Sequence, residues 1–154
     1  MSIVSHVSVG STKEKMGEML QLYDAVMEKL GAKRKMAIDA QGNHVNNPND
    51  SNDNDLVAIA YGKYYPEVWV SLPHDGKEAT AGNGTHLAFL CSNKAQVDAV
   101  YKAAMENGAT CNGPPGPRPQ YSDKYYGAFF IDPCGHKLEA TFYDMGIFNY
   151  CTIL

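Results

Sequence analysis

Apolar residues recur along this chain with two different periods. Met16, Met19, Leu20, Tyr23, Met27 and Leu30 fall on one face of a 3.6-residue repeat, which predicts an amphipathic helix. Ser11 with Glu14 three residues on reads as a capping box at its start, and Gly31 as its stop. Val97, Val100, Tyr101 and Ala104 repeat the stripe, with Asn93 and Gln96 at the start and Gly108 at the end. Flanking segments instead alternate with a period of two, as strands do. In SHVSV, His6 shares a face with Val4 and Ser8. In HLAFL, His86 shares one with Ala88 and Leu90. In KLEATFY, Glu139 shares one with Thr141 and Tyr143, opposite Leu138, Ala140 and Phe142.

These elements repeat in order. VAIAYGKYYPEVWVSLPHDG (57–76) lies over GAFFIDPCGHKLEATFYDMG (127–146) without a gap. Each copy holds an apolar run, a turn, a second strand-like run and a closing glycine. Upstream, SHVSVG and THLAFL open the two units, and each is followed by a helix and a glycine-alanine pair. The fold class is therefore α+β. Two pseudo-symmetric modules, about 1–76 and 82–146, each a strand, a helix and two or three strands, are expected within one domain, 1–154. An apolar tail, 147–154, is expected to pack on the body or on a partner.

Two segments break the alternation. Residues 39–55, DAQGNHVNNPNDSNDND, are rich in Asn and Asp and read as a long, mobile hairpin loop, a lid or a solvated insertion. Residues 111–127, CNGPPGPRPQYSDKYYG, read as an irregular loop, because prolines and glycines interrupt regular structure. Its tyrosines and Arg118 suit the border of a pocket.

Bulk properties narrow the function. The chain has 154 residues, 44% apolar and 19% charged, which suits a globular domain. A formal net charge of −4 argues against nucleic acid, since phosphate binding requires a basic surface. No apolar run approaches the roughly 20 residues that span a bilayer. The start, MSIVSHVSVG, lacks the features of a signal peptide, so a cytoplasmic protein with reduced thiols is expected.

The candidate chemistry follows from the repeat. His6 and His86 occupy equivalent positions in the two opening strands. Glu139 stands mid-strand among Leu138, Ala140 and Phe142, where a carboxylate is costly unless a positive partner compensates it. His6, His86 and Glu139 are thus the candidate ligands of one divalent metal ion. Two imidazoles and a carboxylate suit Zn, Fe(II), Mn, Ni or Co and leave positions for water or substrate. Trp69 stands at the repeat position of Glu139 and supplies an aromatic wall. With Tyr61, Tyr121, Tyr125, Tyr126 and Arg118 it makes the candidate substrate pocket, Tyr126 being also a candidate proton donor. His136 points to the face opposite Glu139, and His44 and His74 lie in solvated segments.

The motifs HVSVG, THLAFL and above all YYGAFFIDPCGHKLE (125–139), with the paired modules, resemble the vicinal-oxygen-chelate superfamily of glyoxalases, bleomycin-resistance proteins and extradiol dioxygenases. The resemblance covers residues 3–144 and implies two pseudo-symmetric βαβββ modules forming a curved, cup-like mixed sheet. Its metal positions map onto His6, His86 and Glu139. It implies a glyoxalase-like, metal-dependent lyase or isomerase that stabilises an oxyanion of a small oxygen-bearing substrate. It leaves open a metal-free drug-binding protein of the bleomycin-resistance type, and a metal-dependent dioxygenase or thiol transferase. It also implies a homodimer, in which a site can draw on both subunits. Three positions depart from the pattern. Trp69 replaces the fourth ligand of glyoxalase I proper, Cys134 the usual aspartate of the DPDG turn, and Gln120 the histidine often found after the loop proline.

Overall fold

A computed structural model of the chain describes residues 4–49 and 52–144. The tail 147–154 lies outside the described residues. The first module runs β1 (Val7–Gly10), α1 (Met16–Leu30), β2 (Lys33–Asp39), a 3-10 turn (Asp53–Asp55), β3 (Leu56–Gly62) and β4 (Val68–Ser71). The second runs β5 (His86–Leu90), α2 (Lys94–Glu106), β6 (Thr110–Pro117), β7 (Tyr125–Ile131) and β8 (Lys137–Tyr143). The predicted strand-helix-strand-strand-strand order therefore holds in both. The strands form two four-stranded sheets, β1-β4-β3-β2 and β5-β8-β7-β6. In each, the opening and closing strands pair in parallel and the other pairs are antiparallel.

The helices lie on one side of both sheets, packed against each other. Gln96, at the start of α2, donates to the carbonyl of Lys29 at the end of α1 at 2.8 Å, so the two run antiparallel. The whole predicted stripe of α1 is buried, joined by Leu22 and Val26, and Val97, Val100 and Ala104 of α2 complete the contact. Two further bonds tie the modules. The Tyr23 hydroxyl donates to Asp132 Oδ2 at 3.1 Å, and His136 Nε2 lies 2.7 Å from the carbonyl oxygen of Gly10. With the helices enclosed between the modules, the opposite face of each sheet is left open.

The helix ends show how far local signals reach. Asn93 accepts from the backbone N–H of Gln96 at 2.9 Å, and Gln96 Oε1 accepts from that of Ser92 at 2.6 Å, a reciprocal capping box as predicted. Gly31 adopts φ 75°, the left-handed conformation expected of a helix stop. The box predicted at Ser11 does not form. Ser11 is fully buried and its hydroxyl donates to the carbonyl of Thr12, so α1 begins later, at Met16, without a side-chain cap.

Of the two segments read as loops, the first is a loop between β2 and β3, and the second is in part a strand. Thr110–Pro117 is the edge strand β6, with shifts of register at Cys111/Gly113 and Gly113/Gly116. An edge strand needs only part of its N–H groups, so prolines are tolerated there and at bulges. In the Asn-rich segment, Arg34 donates to both carboxylate oxygens of Asp24 and of Asp53, at 2.6–3.1 Å, and to the carbonyl of Pro48. Burial opposes the guanidinium charge, but the bonds to Asp24 and Asp53 raise its pKa above the usual value. These bonds join the described part of this loop to β2 and α1.

Candidate functional site

Strand register assembles the site on the open face of the second sheet. Glu139 of β8 lies opposite Ala88 of β5 on one side and Phe129 of β7 on the other. His86 is its diagonal neighbour on β5, and Tyr125 lies further along β7. By the alternation of side chains, all of these share one face with Thr141 and Tyr143. The carboxylate of Glu139 is 2% exposed and both of its oxygens are engaged. His86 Nε2 stands 2.9 Å from Oε2, and the Tyr125 hydroxyl donates to Oε1 at 2.6 Å. His86 itself faces outward, its side chain 43% exposed. Burial, and then the bond to Glu139, raise the pKa of Tyr125 above its ordinary value, so its hydroxyl remains a proton donor.

Space for the carboxylate comes from a glycine. A Cβ built on Gly127 would stand 2.9 Å from Glu139 Oε1 and 3.2 Å from the Tyr125 ring. Aromatic rings surround the pair. Phe129 meets the His86 imidazole edge-on at 6.2 Å between centroids, and Tyr125 is flanked by Tyr121 at 5.3 Å and Tyr143 at 5.9 Å. The Arg118 guanidinium lies over the Phe129 ring, 5.3 Å from its centroid.

Of the three expected metal ligands, the chain brings His86 and Glu139 together and leaves His6 apart. Among the described residues no group of three His, Cys, Asp or Glu side chains is close enough to hold an ion. The cause is the packing of the modules. The end of β1, at Gly10, adjoins His136 before β8, the parallel neighbour of β5. The start of β1 instead shares a groove of about 370 Å³ with Leu87, Ala88, Phe89 and Leu90 of β5. The two strands thus run in opposite senses. His6, exposed, lines this groove, and His86 does not.

Trp69 lies half-buried on β4 opposite Ser8 of β1 and Ala60 of β3, the register position that Glu139 holds in the second sheet. It lines a hollow on the open face of the first sheet with Ser8, Ile38, Ala58 and Ser71. Two proposed pocket residues turn the other way. Tyr61 is fully buried on the helix side, its hydroxyl donating to Asp24 of α1 at 3.0 Å. Tyr126 likewise faces α2, donating to Asp98 at 2.9 Å beneath the Lys94 ammonium, and is not placed to exchange protons at Glu139. In each case the next residue along, Ala60 or Tyr125, occupies the open face. Phe129 and Gly127 were missed in sequence, although alternation selects them as well, and Tyr143 was placed on the face of Glu139 without being assigned to the pocket. His136 is buried and turned toward Gly10, and His44 and His74 are exposed.

Paired βαβββ modules, with a histidine and a buried carboxylate on the open face of the second, define a recognised class. A model of the Glyoxalase/Bleomycin resistance protein/Dioxygenase superfamily matches residues 16–140, and the chain belongs to that superfamily. Among solved structures it resembles a glyoxalase/bleomycin resistance protein from Albidiferax ferrireducens T118, with 31% identity and a TM-score of 0.71 over 92% of this chain and 98% of that one. A glyoxylase/bleomycin resistance protein/dioxygenase domain from Frankia sp. EAN1pec shares the fold at 17% identity and a TM-score of 0.62, covering 93% of this chain and 98% of its own. No curated protein matches the chain. Among the described residues no helix is long and apolar enough to cross a membrane.

Proposed function

We propose that this protein is a glyoxalase-like, divalent-metal-dependent lyase or isomerase, acting on a small oxygen-bearing substrate at a site built on His86 and Glu139. The observation that carries the reading is the Glu139 carboxylate, buried in an apolar sheet yet turned toward an outward-facing imidazole. One nitrogen and one carboxylate oxygen 2.9 Å apart fit two positions of a mixed nitrogen-oxygen donor set. His6 of a second copy supplies the third, in a homodimer that sets the open first sheet of one chain over the open second sheet of the other. A divalent ion held there supplies Lewis-acid stabilisation of a developing oxyanion. The chain's own contribution is positional. Tyr125 and Gly127 fix the carboxylate, Phe129 holds the imidazole plane, and the tyrosines exclude water from one side of the ligand.

Titration with zinc, manganese, nickel and iron(II) tests the metal. Glu139→Gln is expected to weaken binding beyond the about 10- to 100-fold lost with an outer-shell partner. His136→Gln is expected to leave it nearly unchanged. Mixing His6→Gln and Glu139→Gln chains tests the shared site. If each site spans two chains, a mixed dimer regains one intact site although neither parent binds metal. A site within one chain regains none. Native protein that takes up no metal, or sediments as a monomer at micromolar concentration, overturns the proposal. A second reading, metal-free sequestration of an aromatic small molecule, draws on a different observation. His86 and Tyr125 already satisfy both oxygens of Glu139, and Tyr121, Tyr125, Phe129 and Tyr143 offer stacking surfaces.

A further inference from the structure

The chain has two arginines, and their surroundings differ. Arg34 is saturated by Asp24 and Asp53. Arg118, among the described residues, pairs with no carboxylate. Two of its N–H groups donate to carbonyls, Nη2 to Pro114 at 2.6 Å and Nη1 to Pro117 at 3.1 Å. A guanidinium has five N–H donors, so these bonds fix its plane and leave donors over. The position is also shaped for it. A Cβ on Gly116 would come within 3.1 Å of Nη1, and one on Gly113 within 3.5 Å of Nη2. The guanidinium lies on the Phe129 ring whose edge meets His86, each centred within 6.2 Å of that ring. Lys137 stands exposed on the same face, opposite His86 in the register. The carboxylate of Glu139 makes no ion pair with Arg118; its oxygens face His86 and Tyr125.

We propose that the ligand of this face carries an oxyanion, a carboxylate or a phosphonate, which Arg118 binds through its free N–H groups while a second oxygen of the same molecule reaches the His86–Glu139 end. Stacking on Phe129 pre-orients the planar fork, so that two parallel bonds to an oxyanion form at little cost in side-chain freedom. This inference deepens the function proposed above and rests on its location of the site.

The test uses full-length protein and three probes: pyruvate, its neutral methyl ester, and methylphosphonate. Binding is followed by the NMR signals of the Arg118 Nε–H and the His86 ring. Pyruvate or methylphosphonate is expected to shift both signals, and methyl pyruvate to bind at least about tenfold more weakly than pyruvate, the scale of one charge-assisted hydrogen bond. The stronger of the two anions identifies the class. Arg118→Gln should abolish the preference for acid over ester, and Arg118→Lys should retain part of it. An ester that binds as tightly as the acid, anions that leave Arg118 unshifted, or a preference that survives in Arg118→Gln overturns the inference. The acid-ester comparison needs only native protein, so it stands even if a variant misfolds. Metal content of the same samples separates the two proposals. Native protein that holds no metal yet prefers the acid through Arg118 refutes only the metal reading. Protein that holds metal and shows no preference refutes only this one.

Discussion

Gly127→Ala tests whether the Glu139 pocket is a fitted one. The glycine has no positive φ, so alanine suits the backbone and alone would stabilise by about 0.4–1 kcal/mol through the unfolded chain. The new methyl, however, would stand 2.9 Å from Glu139 Oε1, several tenths of an ångström inside ordinary contact. The carboxylate cannot swing aside freely, being held at 2.6 Å by Tyr125 and at 2.9 Å by His86. Overpacking of this kind costs about 1–3 kcal/mol, so the midpoints of cost and gain leave a net loss of about 1.3 kcal/mol. For a chain of this size the melting temperature should fall by about 2–8 °C. At the proposed metal site uptake should weaken with it, because displacing Oε1 turns the whole carboxylate and so moves Oε2 away from His86. Gly17→Ala is the control. Nothing lies within 4 Å of its added Cβ on α1, so it should stabilise by up to about 1 kcal/mol. Calorimetry and metal titration on the two variants check this. In a Glu139→Ala background the alanine at 127 should cost little. If its cost persists there, or if Gly127→Ala melts and binds metal as the native protein does, the argument fails.

Three further outcomes follow from the same structure. Tyr125→Phe removes a bond to a buried carboxylate and should cost about 1–2 kcal/mol in urea denaturation, whereas Tyr126→Phe loses only an exposed bond to Asp98 and should stay within about 0.5 kcal/mol. Burial raises the pKa of Asp132 above the usual carboxylate value, against the opposing influence of His136 and of the bonds it accepts. The native state therefore binds this proton more tightly than the unfolded chain, and stability from this group is greatest below about pH 4 and lost as pH rises through the native pKa. Urea titrations across the acid range should show that slope in native protein and not in Asp132→Asn. Arg34→Met leaves Asp24 and Asp53 facing each other and should cost about 1–3 kcal/mol, with faster limited proteolysis within 40–55.

Much of the architecture was legible because two independent signals agreed. The helical stripes of α1 and α2, the glycine at 31 and the box at Asn93 are local, and each is decided by residues within a few positions of it. The repeat then fixed the order of strands without any knowledge of their pairing, and the register bears it out: Trp69 and Glu139 occupy the same place in their sheets. The proline-rich segment was misread for the converse reason. Proline weakens a central strand but not the edge strand that Thr110–Pro117 became, and an edge is a property of the sheet, invisible in the segment. The bonds that join the Asn-rich loop to α1 depend on Arg34 meeting Asp24 and Asp53, a contact that composition does not report.

The site itself divides along the same line. Alternation within one strand correctly put His86, Glu139 and their neighbours on a single face, because parity is fixed by the backbone. Applied evenly, it would also have separated Tyr125 from Tyr126 and turned Tyr61 toward α1; those two pocket assignments came from grouping tyrosines by nearness in sequence, where adjacent residues face opposite ways. His6 raises a different difficulty. Its equivalence to His86 is real, but equivalence under a pseudo-twofold relation says nothing of distance. Two modules can meet so that their sheets share one cup or so that their helices pack and the open faces point apart. Apolar stripes such as Met19, Tyr23 and Val26 serve both arrangements, since a buried helix is apolar toward its own sheet and toward a neighbouring helix alike. In the single chain α1 packs against α2, Gln96 donating to the carbonyl of Lys29. An open face carrying His86, Glu139 and four aromatic rings, and another carrying Trp69, are then surfaces each chain leaves uncovered. A second copy related by twofold symmetry can cover both at once, which makes the mixed-chain experiment a more direct test of this protein's function than any single substitution.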